Sequence, residues 1–132
     1  MGTKVVIPSE LGAARKAERT VLGEVAKRGY SEGATFAIKL AVEEAINNAI
    51  KHGNKFDPAK VVEVTFDVGA EQTVILVTDQ GEGFDPDSLP DPTADENLEK
   101  PTGRGVMLMR AYMDEVRFNQ KGNQVRMTKR NT

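Results

Sequence analysis

A helix with polar residues beside a broad apolar arc constrains this chain more than any other feature. Residues 40–53 read LAVEEAINNAIKHG. With about 100° between successive residues of a helix, the apolar side chains of this region fall on one arc: Ile38, Ala41, Val42, Ala45, Ile46, Ala49 and Ile50. An arc of this kind is covered by another layer of the protein. We expect the helix to end at Gly53.

Two pairs of polar residues flank this arc, Glu43 with Asn47 and Glu44 with Asn48. Residues at i and i+4 lie one turn apart on the same face of a helix. A carboxylate and a carboxamide held in this way can present a base and a neutral oxygen ligand to one hydrated magnesium ion. The spacing does not select either pair, and a pattern of this kind more often marks a solvated helix surface.

The rest of the chain predicts a simple order of elements. These are a strand at 4–8, a helix from an N-cap at Ser9 to about Arg28, a second helix from Ser31 to about His52, strands at 60–69 and 73–78, a short helix from about Gly103 to Tyr112, and strands at 115–119 and 123–129. The order predicts an α+β fold, a two-layer α/β sandwich with helices on one face of a mainly antiparallel mixed sheet.

The detailed patterns predict which faces are buried. Residues 60–69 alternate with a period of two, whereas TVILVT at 73–78 is the continuous apolar run of a strand buried on both faces. The apolar side of the first helix comprises Leu11, Ala14, Val21, Leu22, Val25 and Ala26. Residues 81–101 are acidic, hold four of the six prolines and show no period. Long irregular loops inside compact domains tend to be functional lids or disordered segments.

Composition excludes several classes of function. With 132 residues, we expect one domain over 1–132. The absence of cysteine excludes a zinc–thiolate site and a thiol nucleophile. The 18 basic residues against 20 acidic ones argue against direct nucleic acid binding. The sequence lacks the long apolar run of a signal peptide or a membrane span. We therefore expect no membrane partner and a cytoplasmic protein.

The turn at 79–83 follows the apolar strand and has the pattern Asp79-x-Gly81-x-Gly83. An aspartate at a strand end can accept a hydrogen bond from an exocyclic amine, and the glycines allow the backbone to approach a flat ring. By itself the pattern is equally consistent with a plain loop.

The second glycine turn, Gly103-Arg104-Gly105, directly precedes the short helix. Backbone N–H groups at a helix N-terminus favour anions, so a phosphate could bind here with Arg104 as a further contact. A glycine-rich cap without a ligand fits equally well. The chain has no Gly-Lys-Ser or Gly-Lys-Thr phosphate loop, no Gly-x-Ser-x-Gly elbow and one histidine, His52, which is more often a helix-end residue than a catalytic one.

Together the motifs resemble one superfamily in order and spacing. Glu44-Ala-Ile-Asn-Asn48-Ala-Ile-Lys-His52-Gly53 is similar to the N box of the GHKL (Bergerat-fold) ATPases and kinases. The turn at 79–83 is similar to the G1 box, and Gly103-x-Gly105 to the G2 box, with an ATP lid at about 84–101 between them. Within the superfamily the chain most resembles the bacterial anti-sigma factor serine/threonine kinases of the RsbW type.

The resemblance assigns roles to these residues. It places the asparagine of the N box at Asn48, which implies that Asn48 ligates Mg²⁺ and that Glu44 is the general base. Asp79 would accept the adenine amine of ATP. The remaining nucleotide contacts that it implies are Lys51, Gly81, Gly83, Gly103, Arg104 and Gly105. The implied protein partners are a sigma factor and a STAS-domain anti-sigma antagonist, and a homodimer is a further expectation.

One departure keeps an alternative open. Some members of the family carry an arginine just before the second glycine turn, where this chain has Pro101, with Lys100 and Arg104 as the nearest cations. A nucleotide-dependent regulatory binding module with little phosphotransfer is therefore the second hypothesis. A detached histidine kinase catalytic domain and a simple hydrolase are the remaining ones.

Overall fold

A computed structural model describes residues 2–82 and 103–131. Its main elements are β1 (Thr3–Pro8), α1 (Ala14–Lys27), α2 (Glu32–Asn48), β2 (Val61–Val68), β3 (Gln72–Thr78), α3 (Gly103–Tyr112), β4 (Glu115–Phe118) and β5 (Gln124–Arg130). A 3-10 turn, Leu11–Ala13, precedes α1, and a π-helical turn, Ala49–Gly53, follows α2. The lid predicted at about 84–101 lies outside the described residues.

The five strands form one sheet in the order β1-β2-β3-β5-β4, and all four pairings between these described strands are antiparallel. Alternate side chains of the central strands point to the helices and are buried. They are Val62, Val64, Phe66, Ile75, Val77, Val125 and Met127. The three α-helices cover this face, so the predicted α+β sandwich is confirmed.

Helix α2 is the central helix of this layer. All seven residues of its predicted apolar arc are buried between the sheet and the neighbouring helices. The helix begins at Ser31 as predicted, and Ser31 caps it, because its Oγ accepts the backbone N–H of Ala34 at 3.0 Å. Helix α1 packs against α2 and buries Ala14, Ala17, Val21 and Val25, the spacing of a helix with one apolar side.

The predicted start of the first helix is wrong. Ser9 is not an N-cap, since its buried hydroxyl donates to the carbonyl of Lys60 at 2.7 Å and accepts the side-chain N–H of Asn54 at 3.0 Å. The chain instead enters α1 through the 3-10 turn. Of the predicted apolar side of this helix, Leu11 and Ala26 are exposed and Leu22 is half-buried.

Two further predictions need correction. The second face of β3 is half-buried rather than buried, because among the described residues the helices cover only one face of the sheet. The helix predicted to run to about His52 is α-helical only to Asn48, after which the π turn begins. Within residues 2–82 and 103–131, none of the helices has the length and apolar character needed to cross a membrane.

Candidate functional site

The pair Glu44 and Asn48 lies under the first turn of α3. A Cβ atom added at Gly105 would lie 2.8 Å from Asn48 Nδ2 and 3.2 Å from Glu44 Oε2. A side chain at this position would therefore have to displace the ends of Asn48 and Glu44, whereas glycine lets the backbone approach the pair without moving them. The first turn of α3 therefore lies beside a carboxylate and a carboxamide, and the first N–H groups of a helix have no partner within it.

The other pair lies on the opposite side of α2. Glu43 faces α1, where its carboxyl lies next to that of Glu18. Burial raises the pKa of Glu18, and the contact with Glu43 raises it further. Asn47, one turn further along, shares the side of α2 that carries Glu43. The packing of α2 thus separates two pairs that the sequence pattern leaves equivalent.

Glu44 has the electrostatic environment of a proton acceptor. Its side chain is half-buried, and burial raises the pKa of its carboxyl above the ordinary value. The charge of Glu43 raises this pKa further, while Lys51 acts in the opposite direction. A raised pKa makes a glutamate a stronger proton acceptor than an exposed one, which is the direction that a general base requires.

The π turn connects this pair to the second part of the site. The backbone N–H of Asn54 donates to the carbonyl of Ala49 at 2.8 Å, five residues earlier, and the N–H of Phe56 donates to that of Ile50 at 3.0 Å. The wider turn ends the helix with Gly53 against the loop that follows β3. Single π turns within helices occur frequently at functional sites.

Asp79 packs directly on Gly53. A Cβ atom added at Gly53 would lie 2.3 Å from Asp79 Cγ, and one added at Gly81 would lie 2.0 Å from the carbonyl oxygen of Gly53. The backbone N–H of Gly81 donates to Asp79 Oδ1 at 2.8 Å. Nothing in the described part of the chain donates a hydrogen bond to Asp79 Oδ2.

The position of Asp79 affects the pKa of its carboxyl. The residue is 9% exposed, and burial raises the pKa of its carboxyl. The hydrogen bond from Gly81 and the charges of Lys121 and Lys60 act in the opposite direction without cancelling this effect. The carboxyl therefore combines an anchored oxygen with a second acceptor oxygen at a largely dry position.

Three polar residues that support Asp79 are missed by the sequence analysis. Asn54 and Gln80 join the Asp79 loop to the start of β2. Asn123 holds the loop from the other side, since its carbonyl accepts the N–H of Asp79 at 2.9 Å and its amide donates to the Asp79 carbonyl at 3.1 Å. The available signal was an asparagine directly after the glycine that ends a helix, at Asn54.

The remaining predicted residues fall into two groups. Lys51 is exposed on the π turn near Glu44, and the N-terminus of α3 contains Gly103 and Arg104. Burial lowers the pKa of His52, and its ring makes no hydrogen bond within residues 2–82 and 103–131, so the helix-end role expected for it is not seen there. Gly83, Lys100 and Pro101 lie outside the described residues.

A shallow cavity of about 440 Å³ lies elsewhere, at the hairpin between β2 and β3. It is lined by Asp67, Gly69, Ala70, Glu71, Gln72 and Val74. The hairpin is at the opposite end of β3 from Asp79, so this cavity is separate from the site described above.

The comparisons with known proteins identify the family. Residues 7–129 match the family described as the histidine kinase-like ATPase domain. The chain is 39% identical over 120 residues to the serine-protein kinase RsbW of Bacillus licheniformis, covering 83% of this chain and 73% of that protein. It is 35% identical over 119 residues to the serine-protein kinase RsbW of Bacillus subtilis, with the same coverage.

A solved structure supports the fold. The crystal structure of the RsbU and RsbW domains of Rv1364c from Mycobacterium tuberculosis matches 98% of this chain with a TM-score of 0.60. The sequence identity is 17%, and the match covers 32% of that longer chain. At this identity the likeness shows a shared fold only.

Proposed function

We propose, from the fact that this chain belongs to the histidine kinase-like ATPase domain family, that it is an ATP-dependent serine/threonine protein kinase that acts as an anti-sigma factor. The observation that carries the proposal is the contact of Gly105 with Glu44 and Asn48, because it brings a phosphate-binding helix terminus to a base and a metal ligand. The named RsbW relatives support the kinase activity.

The adenine end of the site is proposed to be Asp79 with Gly53 and Gly81. Asp79 Oδ2 would accept the exocyclic amine of adenine, while Oδ1 stays bonded to the N–H of Gly81. A Cβ atom at Gly53 would collide with the Asp79 carboxylate, and one at Gly81 would collide with the Gly53 carbonyl. Because both residues are glycines, the backbone here would be able to approach the plane of a bound base. Gly83 is proposed to extend this surface.

The phosphate end is proposed to lie between α2 and α3. The N–H groups at Gly103 and Gly105 would bind phosphate oxygens, with Arg104 and Lys51 as cationic contacts. The described residues contain no group of three His, Cys, Asp or Glu that could enclose a metal. Mg²⁺ commonly binds through one or two protein oxygens plus phosphates, and Asn48 Oδ1 fits that role. Bound Mg²⁺ would neutralise phosphate charge.

Phosphoryl transfer in this proposal depends mainly on position and electrostatics. Glu44 would accept the proton of a serine hydroxyl on the partner protein as that oxygen attacks the terminal phosphorus, and the bond from this phosphorus to the bridging oxygen would break to release ADP. Its raised pKa supports this role, because a carboxylate with a higher pKa takes up the hydroxyl proton more readily. The backbone N–H groups of α3 would stabilise the charge on the transferred group.

The partners are proposed from the family resemblance. The phosphorylated protein would be a STAS-domain anti-sigma antagonist, and the sequestered protein a sigma factor. We further propose a cytoplasmic location, where ATP and these partners occur, and one ATPase domain over residues 1–132 with its lid at about 84–101. A homodimer stays a prediction of the resemblance.

The adenine contact has a direct test. Asp79→Asn is expected to weaken Mg-ATP binding by about 10- to 100-fold. An asparagine that keeps the bond from the Gly81 N–H would place its own NH2 group, a donor, against the amine of adenine, which is also a donor. Asp67→Asn removes an exposed carboxylate at the far end of the same sheet and is the matched control. Calorimetric titration measures both, and unchanged affinity in Asp79→Asn would remove Asp79 from the site.

A further inference from the structure

Asn54 has an unusual position for a residue outside the predicted motifs. Its side chain is 1% exposed and contacts three separate segments of the chain. Oδ1 accepts the backbone N–H of Gln80 at 2.8 Å, while Nδ2 donates to Ser9 Oγ at 3.0 Å and to the carbonyl of Val61 at 3.0 Å. These bonds fix the orientation of the amide, because one side meets a backbone donor and the other a backbone acceptor.

The position of Asn54 is itself fixed by α2. Its backbone N–H closes the π turn on Ala49, so the amide is held relative to the helix that carries Glu44 and Asn48. A buried amide with its hydrogen bonds made is rigid, since breaking any of them leaves an unpaired polar group in a dry site. The segments bonded to the Asn54 amide are therefore held at a fixed position relative to the end of α2.

What Asn54 holds is the loop of Asp79. Gln80 lies between Asp79 and Gly81, and its backbone is bonded to Asn54 while its side-chain Oε1 accepts the N–H of Val61 at 2.8 Å. This double attachment sets the backbone on which the Asp79 carboxylate sits over Gly53. Without it, the contacts with Asn123, the bond from the Gly81 N–H and the packing on Gly53 would remain, but none of them ties the loop to the Asn54 amide.

We propose that Asn54 is a positioning residue that fixes the Asp79 loop against the end of α2 and thereby sets the preference of the site for adenine. The inference rests on the proposed function, since it concerns the residue that would bind the adenine amine. Asn54 touches no ligand in this account, and its effect passes through Gln80 to Asp79.

The test is the ratio of affinities for Mg-ATP and Mg-GTP. GTP carries a carbonyl oxygen where ATP carries the amine, so a well-placed carboxylate binds one base and repels the other. Asn54→Ala is expected to lower the ATP-over-GTP ratio by about tenfold, mainly through weaker ATP binding. A ratio equal to that of wild type in folded Asn54→Ala would overturn the proposal.

Ser9→Ala is the matched control. It removes a buried hydrogen bond from the same amide but leaves the bond between Asn54 and the Gln80 N–H in place. The variant is expected to lose stability and to keep a ratio within about twofold of wild type. If Ser9→Ala changed the ratio as much as Asn54→Ala, the effect would follow from stability alone and the positioning role would be wrong.

Amide hydrogen exchange of the wild-type protein tests the same inference without substitution. The side chain of Gln80 is exposed, yet its backbone N–H is expected to exchange as slowly as the amides of β3 because Asn54 holds it. Exchange at the rate of an open loop would contradict the role of Asn54. Wild type with no preference for ATP over GTP would instead refute the adenine role of Asp79, and the exchange result would still decide whether Asn54 fixes the loop.

Discussion

Glu44→Gln is expected to reduce the rate of phosphate transfer by about 100- to 10,000-fold, the range that a positioned general base contributes. The change keeps the shape of the side chain and its place beside Gly105, so Mg-ATP affinity is expected to stay within about threefold of wild type. The measurement uses ATP labelled in its terminal phosphate, a cognate STAS-domain antagonist and calorimetry on the same preparations.

The pH dependence adds a second readout to this experiment. Because the pKa of Glu44 is raised, the wild-type rate is expected to fall as the pH drops through that raised value, where the base becomes protonated. Glu43→Gln is the matched control. It removes a charge that raises the pKa of Glu44, so the fall is expected to move to lower pH while the rate at neutral pH is retained.

Two outcomes would count against the catalytic role. If Glu44→Gln transferred phosphate at the wild-type rate, another group would have to be the base. If wild type bound Mg-ATP but moved no label to the antagonist, the chain would be the nucleotide-dependent regulatory module that Pro101 suggests, and Glu44 would have no catalytic step to serve.

Gly81→Ala is expected to produce the largest loss of nucleotide binding. Its Cβ atom would lie 2.0 Å from the carbonyl oxygen and 2.5 Å from the carbonyl carbon of Gly53, and neither of these backbone atoms can rotate away. Relief requires the Asp79 loop to move off the π turn, which displaces the carboxylate. Overpacking of this kind costs about 1–3 kcal/mol, or roughly 5- to 150-fold in affinity if the strain falls on the bound state.

Gly23→Ala is the control for this substitution. Gly23 is an exposed residue of α1, and a Cβ atom added there meets no atom within 4 Å. Alanine in a helix interior is about 1 kcal/mol more favourable than glycine, so this variant is expected to unfold at a higher temperature and to bind Mg-ATP as wild type does. Calorimetry on both variants separates binding from stability. Undiminished affinity in Gly81→Ala would show that the contact with Gly53 does not shape the site.

Periodicity predicted the larger part of the fold. The apolar arc of α2, its start at Ser31 and the alternation along β2 are local patterns, and the structure has them as expected. The prediction for Ser9 was wrong because its hydroxyl hydrogen-bonds to the carbonyl of Lys60, a residue distant in sequence, instead of capping a helix.

The site was harder to predict than the fold. The i,i+4 spacing described two Glu–Asn pairs equally well, and only the packing of α2 between α1 and α3 separates them, with Glu43 against Glu18 and Glu44 under Gly105. The resemblance selected Glu44 and Asn48, and their place under α3 agrees with it. The π turn and the bonds of Asn54 depend on contacts distant in sequence, so no local pattern could reveal them.

The central claim is that one nucleotide lies across the end of α2, the Asp79 loop and the start of α3. Backbone amide NMR during a titration with Mg-ATP tests it most directly. The resonances expected to shift are those of residues 44–54, 79–82 and 103–106, while the hairpin cavity at 67–74 stays unchanged. Shifts confined to that hairpin, or no shifts at saturating Mg-ATP, would contradict the account.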